Sequence, residues 1–182
     1  RTKSPIYSKK AMFDIGIAGP ISGFVICLGI LVYGFTHVPS IEYLINIHPD
    51  YFSPDYGKEG MQLIFGDSIL FSFLRYIFTD PNTFFPPMSE IYHYPFLCAG
   101  WFGLLVTSMN MIPVGQLDGG HISYTMFGDK NHFKIVVIAF TLLFIFGISG
   151  LVDSVLELNL NIGWSGWLFW ALVLYFIIRL KH

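Results

Sequence analysis

Apolar residues along this chain come in long unbroken runs, not in the stripes of a water-facing helix. Four runs have the length of a bilayer crossing: residues 13–35, 94–113, 133–152 and 162–180. About 20 consecutive apolar residues span the hydrocarbon core, so each predicts a transmembrane helix. A fifth run, MQLIFGDSILFSFLRYIF at 61–78, contains Asp67 and Arg75. Buried in lipid, each charge would cost roughly 2.5–3.5 kcal/mol on insertion scales. Apolar residues recur at helical spacing around the two charges, which predicts a helix lying in the interface or re-entering the membrane. The expected fold class is an all-α polytopic membrane protein. It forms a single membrane-embedded domain over residues 1–182, with about four transmembrane helices plus one interfacial or re-entrant helix.

The connections are read from their breakers. HVPSIEYLINIHPDYFSPDYGKEG, residues 37–60, has three prolines and one basic residue and reads as an external, partly ordered link. The prolines of TDPNTFFPPMSE exclude a continuous helix there. Within the first run, Gly16, Gly19, Gly23 and Cys27 recur at spacings of three and four, on one helical face. Small residues on such a face let a second helix backbone approach closely in lipid. Pro20 removes a backbone donor and predicts a bend near the cytoplasmic end of the run. Asp14 reads either as the cap of this helix or as an inward-facing polar group.

Composition settles the solvent. The chain is 54% hydrophobic and 12% charged, with a mean hydropathy of +0.61. A soluble domain carries about 25% charged residues, so this chain cannot cover a surface in water. A net charge of −2 without a basic, aromatic-interleaved patch excludes a nucleic-acid partner. Arg1, Lys3, Lys9 and Lys10 precede the first run and place that end in the cytoplasm. With four spans, Lys130, Lys134, Arg179 and Lys181 also fall inside, and Asp153 and Glu157 fall outside. Cys27 and Cys98 sit within apolar runs, as small buried side chains do. The opening RTKSPIYSKK has no signal peptide and reads as an interior cut through a longer protein.

The candidate chemistry lies in SMNMIPVGQLDGGHISY, residues 108–124. Asp118 follows the Pro113 break within an apolar neighbourhood. An ionisable group at membrane depth needs a partner, a cavity or a metal to offset its burial. Broken helices at that depth occur where they line a cavity. Gly115, Gly119 and Gly120 permit a tight backbone path around the carboxylate. Two readings stand side by side: Asp118 caps a short helix, GGHISYTMF, or it holds an ion. His121, three residues on, either shares that metal or sits at headgroup level. Spacing alone names no reaction.

A specific resemblance does. NMIPVGQLDGGH resembles the Asn-x-x-Pro-x-x-x-Leu-Asp-Gly-Gly motif of the site-2 protease family of intramembrane zinc metalloproteases. KSPIYSKKAMFDIGIAGPISGF is similar to the family segment around DIGxAGPxxGF, and GDSILF, residues 66–71, to the segment between them. The resemblance implies regulated proteolysis within the membrane: Asp118 as third protein ligand of one catalytic zinc, with Asn110 and Pro113 lining the cleft where a substrate helix unwinds. It implies a transmembrane protein substrate, the lipid bilayer and a bacterial cytoplasmic membrane.

The family's other two ligands and its general base come from a His-Glu-x-x-His helix. None of the six histidines here is followed by glutamate, and no His-x-x-x-His pair exists. The expected account is a C-terminal portion, inactive alone, whose missing N-terminal part supplies those groups upstream of Arg1. A transporter or channel module shares the broken helix and midspan carboxylate. A catalytically dead family member would only bind membrane segments. The upstream sequence separates the three readings.

Overall fold

The computed structural model describes residues 8–57, 64–156 and 163–179. Among them the backbone forms α1 (Lys9–Thr36), α2 (Ile41–Ile47), α3 (Ile69–Phe78), α4 (Pro95–Asn110), α5 (Asp118–Leu156) and α6 (Gly166–Arg179). A short 3₁₀ turn, Ile91–His93, precedes α4, and the described residues contain no strand. The all-helical class is as expected. Two helical stretches are long and apolar enough to cross a membrane, Lys10–Thr36 and Asp118–Leu156.

The helix ends depart from the runs for local reasons. The run at 94–113 is helical only to Asn110, because Pro113 offers no backbone donor and disfavours helical geometry at the residue before it. At 16 residues α4 is about 24 Å long, short of a hydrocarbon core of about 30 Å. The run at 133–152 lies inside α5, which starts at Asp118 and is interrupted at Gly128. There φ is 72° and ψ is 172°, a conformation glycine adopts without Cβ strain. The stretch before Gly128 is the short helix expected after the LDGG motif. The last run is helical from Gly166 in α6, which has 14 residues. Residues 162 and 180 lie outside the described residues, as do Arg1, Lys3, Glu157 and Lys181.

Two expectations are corrected. The interfacial helix read at 61–78 is shorter: α3 covers Ile69–Phe78, and residues 64–68 are not helical. That segment is held instead by Phe65 N–H donating to the Met88 carbonyl (3.3 Å) and the Trp101 indole donating to the Gly66 carbonyl (2.8 Å). Ser68 starts α3 by accepting from the Phe71 N–H at 3.2 Å. The two charges that made this run ambiguous pair with each other: Arg75 Nη2 is 3.7 Å from Asp67 Oδ2. Ser72 donates to the same carboxylate at 2.6 Å. Residues 61–63 are outside the described part. Asp14, in turn, does not cap α1, because that helix begins at Lys9 and Met12 N–H already bonds the Ser8 carbonyl.

The described residues divide into two compact units, Arg1–Ile21 with Ser108–His182, and Ser22–Thr107. The second unit has a buried cluster of Leu31 and Phe35 from α1, Phe71 and Leu74 from α3, and Phe65, Ile91, Tyr94 and Leu97. α3 is two-faced: Phe71 and Leu74 point inward while Ile69, Phe73 and Tyr76 are exposed. A methyl group added at Gly100 or Gly103 of α4 would overlap Leu31 or Cys27 of α1, so glycine is what lets these helices meet. Both cysteines are free thiols. In the first unit, α5 and α6 pack through glycine as well. A methyl at Gly147 would lie 2.6 Å from Leu168 Cγ, and one at Gly150 2.5 Å from the Ser165 nitrogen. Ile138, Phe144 and Ile145 of α5 remain exposed, as lipid-facing residues are.

Candidate functional site

The motif stretch folds as a helix end, a tight return and a new helix start. α4 closes at Asn110 with shortened turns, Met111 N–H to the Ser108 carbonyl and Ile112 N–H to the Met109 carbonyl. Residues 111–117 then turn back through Gly115, whose φ of 57° lies in the left-handed region. Leu117 N–H reaches the Val114 carbonyl at 3.2 Å and closes the turn. The first helical bond of α5 runs from His121 N–H to the Leu117 carbonyl. Leu117 is therefore the capping residue and Asp118 the first helical one. The carboxylate sits at the N-terminal, positive end of the helix dipole. That geometry leaves the capping reading for Asp118 without its side-chain role.

The glycines after Asp118 have a steric reason. A methyl group on Gly119 would overlap the Met111 carbonyl and lie 2.8 Å from the Ile112 oxygen. On Gly120 it would lie 2.5 Å from the Gly115 oxygen. The return segment thus rests its carbonyl edge directly on the first turn of α5, and no side chain fits between.

α1 supplies the facing surface. A methyl built on Gly16 would sit 3.4 Å from Ile122 Cγ1 and 3.5 Å from His121 Cβ; one on Gly19 would sit 3.7 Å from Asp118 Oδ2. The glycine face read in the first run therefore meets the motif helix, and Gly19 brings open backbone to the Asp118 carboxylate. A methyl built on Gly23, in the other unit, would sit 3.6 Å from Thr107 Oγ1. All these distances are ordinary contacts, so the face is close without being strict. Asn110, Pro113 and Asp118 are each half-buried along one continuous segment.

Among the described residues a single group of three metal-type donors converges, and sequence reading missed it: His48, Glu90 and His93. His48 follows α2, its N–H bonded to the Leu44 carbonyl at 2.8 Å. Glu90 precedes the 3₁₀ turn and His93 closes it, where residues three apart lie on one face. The two imidazole Nε2 atoms are 2.8 Å apart, one donating and the other accepting. Glu90 is 5% exposed, and its Oε1 accepts from Tyr56 at 3.1 Å. Burial, then donation to Glu90, raises the Tyr56 hydroxyl above its ordinary range. Burial and the neighbouring His48 lower His93 below the ordinary imidazole value, against the pull of Glu90. The one local signal was Glu90-x-x-His93; His48 is far off in sequence and gives none.

The family model of Peptidase family M50 matches residues 2–148. Similar plant proteins include "Probable zinc metalloprotease EGY2, chloroplastic" of Oryza sativa subsp. indica. It is 27% identical over 175 residues, covering 96% of this chain and 27% of that protein. "Probable zinc metallopeptidase EGY3, chloroplastic" of Arabidopsis thaliana is 29% identical over 164 residues, 85% of this chain and 26% of that protein. "Probable zinc metalloprotease EGY1, chloroplastic" of Oryza sativa subsp. japonica is 30% identical over 141 residues, 78% of this chain and 22% of that protein. The chain spans about a quarter of the length of these curated relatives. No solved structure matches it.

Proposed function

The chain belongs to Peptidase family M50, the site-2 protease family, and on that premise we propose that it forms part of an intramembrane zinc metalloprotease. The substrate class is a membrane-embedded protein whose peptide bond is hydrolysed within or at the edge of the bilayer. The observation that carries this reading is the placement of Asp118 at a helix start after a broken helix, inside the stretch that resembles the family motif. In this reading Asp118 is one of three protein ligands. The two histidines and the glutamate base come from chain outside these residues, which alone do not catalyse.

The local residues fit that role. Asp118 offers a carboxylate at a helix start, and metals take carboxylates in the ionised form. Gly19 opposes it with no side chain, which leaves space beside Oδ2. Zinc bound there would supply a water of lowered pKa and a polarised scissile carbonyl. Asn110 and Pro113, at the break, hold the unwound substrate segment in place. In the full-length protein, Asn110→Ala should leave zinc content unchanged and reduce cleavage of a single-span substrate about tenfold, the worth of one hydrogen bond. His121→Ala should keep both zinc and most of the activity, since its Cβ packs on α1 at Gly16. Zinc lost from His121→Ala would overturn the ligand set.

The membrane arrangement in this reading has four crossings, with α4 and α6 completed by flanking residues and α3 lying at the interface. Its basis is the distribution of lysine and arginine. The relatives are named chloroplastic, while the membrane expected from sequence is a bacterial cytoplasmic one; an integral membrane location is common to both. Single cysteines at positions 10 and 130, in a background lacking Cys27 and Cys98, should label from one side, and a cysteine at 153 from the other. Labelling of positions 10 and 130 from opposite sides would remove the four-span count.

A further inference from the structure

We propose that His48, Glu90 and His93 form a binding site for a divalent transition-metal ion, zinc by donor type, that clasps α2 to the segment leading into α4. None of the three belongs to the motif stretch, and the inference does not rest on the protease reading. Two imidazole nitrogens and one carboxylate are a zinc donor set that leaves a fourth position open to water. The same set suits other borderline divalent ions less selectively.

The geometry is close to what coordination needs. The three donor atoms lie within 4.8 Å of one another. Ligands at about 2.0–2.1 Å on a tetrahedral ion are about 3.3 Å apart. His93 Nε2 and Glu90 Oε2 are already at 3.6 Å. The two imidazoles, at 2.8 Å, would part slightly to admit the ion. Side-chain shifts of about an ångström therefore suffice.

Glu90 supplies the independent observation. Its carboxylate is buried, yet Oε2 has no hydrogen-bond partner, while Oε1 is held by Tyr56. The 3.6 Å separation from His93 is too long for a hydrogen bond. A buried carboxylate oxygen without a donor is costly, and a dication removes that cost. Tyr56 acts as the outer partner that orients a ligating carboxylate. Both donor-bearing segments are anchored, through fully buried Leu44 in α2 and Ile91 in the 3₁₀ turn. The Tyr43 hydroxyl also donates to the His93 carbonyl at 2.9 Å, so the bridge closes a link that the backbone has begun.

The test uses the full-length protein in detergent, stripped with chelator and titrated with Zn²⁺ or Co²⁺. His48→Ala/His93→Ala should lose one equivalent of bound metal per chain, both in the wild-type background and beside Asp118→Asn. In the Asp118→Asn background, Co²⁺ should give a visible absorption band that is lost when His48 and His93 are also replaced. In that same background, zinc should raise the melting temperature while His48 and His93 are present and raise it less once both are alanine. Glu90→Gln keeps the volume and the acceptor for Tyr56, and should weaken binding at least about tenfold if the double variant does not fold. Unchanged metal equivalents in these variants would overturn the site. So would a folded wild type in which Zn²⁺ binding does not depend on these three residues. If the protease reading fails, the Asp118 arm changes and the His48/His93 arm does not.

Discussion

Asp118→Asn should all but abolish cleavage in the full-length protein and empty its catalytic zinc, while the fold survives. Asparagine keeps the shape of the side chain but offers a neutral, weaker donor. Losing an outer partner of a metal site costs about 10- to 100-fold, and losing a direct ligand costs more. Turnover of a single-span substrate should therefore fall by more than about 100-fold, with zinc lost in parallel. The effect on stability should be small. Asp118 is the first residue of α5, where the negative charge contributes about 0.3–1 kcal/mol through the helix terminus. Leu117 still accepts the first helical bond from His121. Elemental analysis beside a cleavage assay and a melting curve separates chemistry from folding. Full zinc and full activity in this variant would end the protease role of Asp118.

Gly119→Ala should be among the most damaging small substitutions in the described residues. The added methyl would overlap the Met111 carbonyl, and backbone on both sides leaves neither partner free to turn away. Overpacking in a well-packed interior typically costs about 1–3 kcal/mol, and a backbone clash belongs at or above the top of that range. Gly19→Ala is the matched control. Its methyl would meet Asp118 Oδ2 at an ordinary 3.7 Å, and alanine is the better helix former by about 1 kcal/mol. Gly19→Leu exceeds that space and should loosen the contact between α1 and the start of α5. Thermal unfolding in detergent should order the variants as Gly19→Ala near wild type, Gly19→Leu below it and Gly119→Ala lowest. A Gly119→Ala melting point equal to wild type would remove the steric account of the motif glycines.

How much of this was legible in the chain follows from the range of each interaction. Long apolar runs are a local property, so the sequence by itself determined the all-helical class. The motif is local too, and so were the break at Pro113, the short helix after Asp118 and the family. The glycine face of α1 was readable because helical periodicity places Gly16 and Gly19 together. What that face meets was not readable, since Asp118 and His121 lie far along the chain. Helix ends were misread where a contact outweighed composition. Residues 64–68 lie inside an apolar run, but Gly66, Asp67 and the Ser68 cap start the helix late, and Met88 and Trp101 hold the segment outside it. Asp67 and Arg75 looked like two separate charges until the fold of α3 paired them. The plainest case is His48 with His93, 45 residues apart and 2.8 Å between rings. No periodicity links positions at that separation. Burial of Leu44 and Ile91 and the Tyr43 bond to the His93 carbonyl fix the segments that bring the two imidazoles to one carboxylate, because side-chain convergence is a property of the folded chain and not of any stretch of it.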